Sequence, residues 1–342
     1  MKIYGFTLLR NGVKYDYPFL ESLRSLCALC DQVFVALGQS DDGTEARLTE
    51  FKNLVIVPTV WDESMRKSGL ILSQQTNIAL DALREKTKDG WGLYLQADEV
   101  LNEKDFGLIR RDIEEADRTG CDAVSFRYLH FWQSYHQIAI AKRWYPQEIR
   151  AVKLDSAARS YGDAQSFESI KKRFESDAFV YHYGHVREAS AYEKKKADFG
   201  RWWHQDEELK KVLQKGARRD KHEPTLPYFG PQPSFMKERI GASFMPAKKD
   251  KVVVFGLEQD LEPAVRAGLM ADLEFTESVS GLLAAGAEKS VLLRPLPAWA
   301  FPLRWMGFGS RVPPKMKSPQ AREWSHGFRA VLKFSEKGIY AQ

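Results

Sequence analysis

The chain has 342 residues, 28% of them charged and 44% hydrophobic, the balance of a water-soluble globular protein with room for one large α/β domain and a smaller second one. Its 51 Lys and Arg against 46 Asp and Glu leave a net charge of +5, too small an excess to indicate nucleic acid when base-reading motifs are absent, although it suits nucleotide diphosphates or a membrane surface. No run of about 18 apolar residues argues for a spanning helix, and the N-terminus lacks a signal peptide's apolar segment, so a cytoplasmic location is expected, with peripheral inner-membrane contact as an option.

In chain order, residues 3–9 alternate as a first strand, broken by Arg10-Asn11-Gly12. Residues 17–29 read as a helix and 32–37 as an apolar strand, followed by the turn Gly38-Gln39-Ser40-Asp41-Asp42-Gly43-Thr44, rich in helix-capping residues. A third strand over 53–58, a helix over 70–83 and a fourth strand over 91–96 lead to Ala97-Asp98-Glu99-Val100. Strands alternating with helices predict a parallel-type sheet covered on both faces, whose ligands sit beyond the carboxyl ends of the strands, and the three polar clusters fall at such ends.

Further on, 121–131, 149–154 and 177–183 read as strands, the last running into His182-Tyr183-Gly184-His185-Val186-Arg187. Residues 191–213 read as a long charged helix. Pro224, Pro227, Pro231 and Pro233 mark a connection, after which strands near 252–255 and 291–293 suggest a new α/β module. The expected domains are therefore 1–246 and an accessory module over 247–342.

Cys27 and Cys30 form a CxxC pair. Together with Leu20 and Leu23 they lie on one helical face, where cysteine behaves as a small hydrophobe, and no further zinc ligands follow at a compatible spacing. Asp98 and Glu99 carry more chemistry. Two adjacent carboxylates at the end of an apolar strand repel one another unless a cation neutralises them, and oxygen ligation suits Mg2+ or Mn2+; a solvated acidic turn is the plainer alternative.

The chain resembles the family 2 glycosyltransferases with a GT-A fold, and more closely a bacterial subgroup with similar blocks in the same order. Those blocks are Arg10-Asn11 with Tyr15-Asp16-Tyr17-Pro18, Ser40-Asp41-Asp42-Gly43-Thr44, Val60-Trp61-Asp62, Gln96-Ala97-Asp98-Glu99-Val100, Arg143-Trp144-Tyr145-Pro146, Tyr161-Gly162-Asp163-Ala164-Gln165 and His182-Tyr183-Gly184. They span roughly residues 1–240.

The resemblance implies a GT-A, Rossmann-like mixed sheet and a metal-dependent, inverting transfer of a sugar from a nucleotide-sugar donor to a glycan or lipid-linked acceptor. It implies Asp98, Glu99 and His182 around Mn2+ or Mg2+. It places Arg10, Asn11, Ser40, Asp41, Asp42 and Thr44 at the donor, with Gln96 where relatives carry an Asp that contacts ribose. Helix capping competes with ligand contact for Asp41, Asp42 and Thr44. Arg66 and Asn77 are further donor candidates, a surface salt bridge being the alternative for Arg66. Leu37-Gly38 stands where many relatives read the base with an acid, which leaves the nucleobase open.

Inverting transfer needs a carboxylate to deprotonate the acceptor hydroxyl. Asp163 fits that place, Glu148 is second, and a plain turn aspartate is the alternative. Arg143 and Arg150 are candidates to neutralise the leaving diphosphate through paired hydrogen bonds. Trp132, Tyr135, Trp144 and Tyr145 suit an acceptor platform for sugar CH faces, or else pack in a core.

Residues 301–342 hold eight Lys and Arg against two Glu, a local charge of +6, close to Trp299, Phe301, Trp305 and Phe308. Such a segment suits anionic lipid, or its aromatics pack inward. Two other functions compete: a non-catalytic nucleotide- or sugar-binding protein on a GT-A frame, and a nucleotidyltransferase, for which Arg10-Asn11-Gly12 is a poor Gly-rich loop.

Overall fold

The computed structural model describes residues 1–62, 64–65, 68–139, 143–188, 190–192, 194–195, 198, 200, 225–228, 231–242, 332–335 and 338–341. The chain divides into two compact units, Met1–Leu129 with Gln147–His222 and Pro233–Ser243, and His130–Pro146 with Glu223–Gln232 and Phe244–Gln342.

The first unit is built on a mixed sheet. Strand β1 (Ile3–Leu9) lies between β2 (Val33–Gly38) and β4 (Trp91–Tyr94), and β3 (Leu54–Thr59) flanks β2, all of them parallel. Every residue of β2 is buried, as expected of an inner parallel strand covered on both faces, and its sequence Val-Phe-Val-Ala-Leu-Gly is accordingly apolar throughout. Beyond β4 the direction changes: β8 (Gln147–Lys153) runs antiparallel to β4, and β6 (Ala123–Trp132) antiparallel to β8. The long strand β11 (Arg173–His185) pairs with β6 and with the short β5 (Glu99–Leu101). The α/β mixed-sheet class expected from the sequence is present, with strand order β3-β2-β1-β4-β8-β6.

Helix α1 (Phe19–Leu29) and helix α3 (Leu70–Lys86) cover the parallel strands, with the short α2 (Thr44–Arg47) between them in sequence. The core under α3 joins Ala79, Leu80 and Leu83 to Phe6, Tyr94, Val152 and Phe167. The Phe6, Tyr94 and Phe167 rings meet at centroid separations of 5.3–5.9 Å, the tilted and edge-on contacts that aromatic quadrupoles favour. Helix α4 (Phe106–Arg118), which the sequence reading passed over, buries Ile109, Ile113 and Ala116 at helical spacing, and Asp112 on the same face accepts a 2.6 Å hydrogen bond from Ser176 of β11. A hairpin of β9 (Arg159–Tyr161) and β10 (Ser166–Glu168) was likewise not foreseen.

In the second unit, β7 (Gln137–Ala139) pairs with the end of β6 through Phe131 and Ile138, and with β12 (Thr225–Pro227). The later part of the expected 191–213 helix and the strands near 252–255 and 291–293 lie outside the described residues. Within 247–342 the structure describes an antiparallel hairpin, β13 (Leu332–Ser335) with β14 (Gly338–Ala341). Helix α5 (Lys237–Ala242) belongs to the first unit. Among the described residues no helix is long and apolar enough to cross a membrane. Cys27 and Cys30 are free thiols; burial pushes Cys27 up to about 11 and Cys30 higher still, in keeping with small hydrophobes rather than reactive thiols.

Candidate functional site

Because β1, β2 and β4 are parallel, their carboxyl ends emerge on one edge of the sheet, and the loops 10–17, 39–43 and 95–98 gather there. The 95–98 loop is pinned from below: Thr7 donates to the Leu95 carbonyl at 2.6 Å and Ser22 of α1 to the Gln96 carbonyl at 3.1 Å. The loop then turns into β5, which pairs with β11 so that Glu99 faces His182 across the ladder, while the Tyr183 amide donates to the Asp98 carbonyl. The sequence separation between Asp98 and His182 is thus closed by one antiparallel register.

Asp98 is buried, 4% exposed, with three basic side chains around its carboxylate. Lys195 Nζ donates to Oδ2 at 3.3 Å, Arg187 Nη2 to the same oxygen at 3.4 Å, and His182 Nε2 lies 3.9 Å from Oδ1. Burial alone would raise the Asp98 carboxyl, but the charges of Lys195 and Arg187 and the neighbouring imidazole outweigh it and hold the group well below the usual carboxylate range. Burial pushes the His182 imidazole below its ordinary value against the pull of Asp98 and Glu99, so it is neutral at neutral pH. Burial also lowers the Lys195 ammonium, to about 8, with Arg187 adding to that and Asp98 opposing it.

Tyr17 forms the floor. The Arg187 guanidinium lies 4.7 Å and the Lys195 ammonium 4.6 Å from its ring centroid, both in cation–π range. The Tyr15-Asp16-Tyr17-Pro18 block owes its place to Asp16, which accepts from Arg239 of α5 at 2.7 Å and from the Glu188 amide at 3.0 Å. Arg187 also donates to the Tyr15 carbonyl at 2.8 Å.

His182-Tyr183-Gly184 gains a physical reason at Gly184. A Cβ there would come 2.4 Å from His182 Nε2 and 2.9 Å from Asp98 Oδ2, so only glycine leaves both groups where they are. Gly184→Ala is expected to lose about 1–3 kcal/mol, the usual cost of overpacking. Urea denaturation checks it, and an unchanged midpoint would show that Gly184 sets neither group.

Glu99 departs from the expectation of a second metal ligand. Its carboxylate is fully buried and accepts from Arg150 Nε at 2.9 Å, Arg150 Nη2 at 2.7 Å, the Tyr128 hydroxyl at 2.7 Å and the Gln96 amide at 3.0 Å. Those four donors fill its acceptor sites. Arg150 departs from its expected role at a diphosphate for the same reason: its side chain is 0% exposed and sits over the Tyr94 and Tyr128 rings, with Nη1 donating to the Ile149 and Gln165 carbonyls.

The remaining candidates divide. Asn11, Ser40, Asp41, Asp42 and Thr44 are at the carboxyl edge and brace two loops together. The Asn11 amide donates to Ser40, the Asp41 amide to Asn11 Oδ1, and the Val13 and Lys14 amides to Thr44 and Asp42. Asp42 also accepts from the Thr44 amide at the start of α2, which is the capping role. Arg10 stacks 5.3 Å from the Trp61 ring centroid, and Gly38 makes room for that indole, since a Cβ would stand 2.3 Å from its Nε1.

Asn77 is taken by β9, exchanging two hydrogen bonds with the Ser160 backbone at 2.8 and 2.9 Å, which corrects its expected donor contact. The Gln96 amide donates to the Ala164 carbonyl at 3.1 Å. That bond ties the β9–β10 turn, which carries Asp163 between Gly162 and Ala164 at positive φ, to the Asp98 loop. Glu148 accepts from Gln165. Arg66 lies outside the described residues. Arg143 belongs to the second unit, where its guanidinium lies over the Trp132 and Trp144 rings at 5.6 and 5.1 Å and His130 Nε2 donates to the adjoining Tyr145 carbonyl at 2.7 Å.

Among the described residues no three His, Cys, Asp or Glu side chains converge as a metal-holding group. Glu99 is turned to Arg150, and what faces Asp98 is two cations and a neutral imidazole. That donor set does not fit a divalent ion.

Sequence reading missed Arg187, Lys195 and Tyr17. Arg187 ends the His182–Arg187 string, and Lys195 hides in Lys194-Lys195-Lys196, which reads as a solvated run. The available signal was spacing: Lys195 follows the buried Ala191 by four residues in a stretch whose described residues are helical.

No family model and no curated protein matches the chain. Solved structures similar to it include Staphylococcus aureus TarS, at 13% identity and TM-score 0.34 over 65% of this chain and 44% of that one. TarS 1–349 in complex with UDP-GlcNAc is similar at 12% identity and TM-score 0.34, over 64% of this chain and 72% of that one. A proposed nucleotide-diphospho-sugar transferase from Desulfovibrio desulfuricans G20 is similar at 8% identity and TM-score 0.32, over 60% of this chain and all of that one. The matched segment thus spans less than half of full TarS. Likeness of this degree bears on neither activity nor substrate, and the fold rests on the strand order and pairing given above.

Proposed function

We propose that this chain is a glycosyltransferase that takes a sugar from a nucleotide-sugar donor and passes it to a glycan or lipid-linked acceptor. The observation that carries the reading is the buried charged cluster of Asp98, His182, Arg187 and Lys195 at the carboxyl edge of a mixed α/β sheet, joined through Gln96 to the turn bearing Asp163. Positive groups at that edge suit a diphosphate, and a carboxylate on an adjoining turn suits removal of a proton from an acceptor hydroxyl. In that arrangement Asp163 is the general base of an inverting transfer, and Glu148, held by Gln165, is second. Building of surface polysaccharide, and peripheral membrane contact through the basic 301–342 segment, belong to the same reading.

A thermal-shift screen of nucleotide sugars tests the donor. Asp163→Asn tests the chemistry: donor affinity should stay as in the parent while transfer falls by about 10²-fold or more, the usual weight of a general base. Turnover within a few-fold of the parent would move that role to Glu148. A nucleotide that binds without any detectable transfer would instead favour a non-catalytic binding protein.

A further inference from the structure

Asp98 already has cations on it. One carboxylate faces both Arg187 and Lys195 while Glu99 is balanced by Arg150, so the cluster holds an excess of positive charge before any ligand arrives. A site of that sign attracts phosphate and repels a dication. The two cations differ in exposure. Arg187 is enclosed, with a side chain 0% exposed and its Nη groups on the Tyr15 and Gly184 carbonyls. Lys195 has 23% of its side chain open to solvent, and its ammonium rests between the Asp98 carboxylate and the Tyr17 ring.

We propose that Lys195 is the diphosphate-binding group of this site, its ammonium taking the place that Mn2+ or Mg2+ holds in a metal-dependent transferase. Asp98 is then a positioning residue: it holds the partly exposed ammonium over Tyr17 at the carboxyl edge of the sheet. An ammonium is suited to that task because its three N–H donors sit on a compact charge that adapts to a tetrahedral oxyanion. Arg187, locked underneath, adds field without contact. The inference rests on the nucleotide-sugar reading and states how that site binds its donor.

The test is calorimetry of the full chain with UDP, GDP, ADP, CDP and dTDP, first in EDTA and then with added Mn2+ or Mg2+, on the parent, Lys195→Met and Lys195→Arg. One diphosphate should bind in EDTA with an affinity that the metals do not raise. Lys195→Met should lose about ten-fold or more, the scale of one charge-assisted hydrogen bond, and Lys195→Arg should retain most of the binding. Thermal unfolding confirms that each variant is folded. Binding that appears only with metal overturns the inference and leaves the transferase reading standing. Equal affinity of parent and Lys195→Met in EDTA overturns the role of Lys195 alone. No binding of any diphosphate under either condition overturns the inference together with the reading beneath it.

Discussion

Replacing Arg150 with methionine is expected to remove about 3–5 kcal/mol of stability at neutral pH, the cost of stripping one partner from a buried ion pair. Both side chains of the Arg150–Glu99 pair are 0% exposed, and the pair is bidentate. In the variant Glu99 keeps its bonds from Tyr128 and the Gln96 amide but has no counter-charge in an interior walled by Tyr94 and Tyr128. It must then stay charged in an apolar setting or take up a proton. Methionine keeps much of the volume, so the loss reports charge rather than a cavity. Adding Glu99→Gln should return a substantial part of it, because the stranded charge is gone. Urea denaturation of both single variants and the double gives the coupling directly. If Arg150 instead faced a ligand, Arg150→Met would weaken nucleotide binding and leave the urea midpoint near the parent's.

Much of the fold was legible because inner parallel strands and amphipathic helices write their burial into local pattern. Residues 33–38 are an apolar run because both faces are covered, and 70–86 repeats its buried positions at helical spacing. The short pieces were not legible. β5 is three residues long and exists because β11 pairs with it, and the β9–β10 hairpin is fixed by positive φ at Gly162 and Ala164, the second of which no turn rule favours.

The site divided along the same line. Asp98 and His182 could be named from their positions at strand ends, which local pattern reveals. The partners of each acid could not. Adjacent in sequence, Asp98 and Glu99 point to different cations because Asp98 ends the turn and Glu99 begins β5. Asp98 turns to Lys195 and Arg187, and Glu99 turns into the core toward Arg150. A lysine within a triple-lysine run and an arginine on a mid-sheet strand look alike in sequence whether they meet solvent, phosphate or a buried carboxylate.

Asp98→Asn is expected to destabilise the chain on the same scale, about 3–5 kcal/mol at neutral pH. The amide keeps the shape but removes the charge facing Arg187, whose side chain is wholly enclosed and whose Nε has no hydrogen-bond partner among the described residues. Lys195 is partly exposed, whereas Arg187 is enclosed and bound to the Tyr15 and Gly184 carbonyls. The sign of the pH dependence follows from the direction of the Asp98 shift. Its folded-state carboxyl is held well below the ordinary value, so the stabilisation is fully present above the unfolded value of about 3.9 and is lost as pH falls through the folded one. The gap between parent and Asp98→Asn in urea should therefore be constant from pH 7 down to about pH 5 and begin to close below about pH 4. A carboxylate whose main partner is a metal behaves in the opposite way, since removing it from the metal-free protein relieves repulsion with its neighbours and leaves stability unchanged or raised. Denaturation of both proteins in EDTA at pH 7 separates the two. A variant as stable as the parent would mean that Arg187 and Lys195 do not depend on Asp98, and the cation-bound arrangement would fall with it.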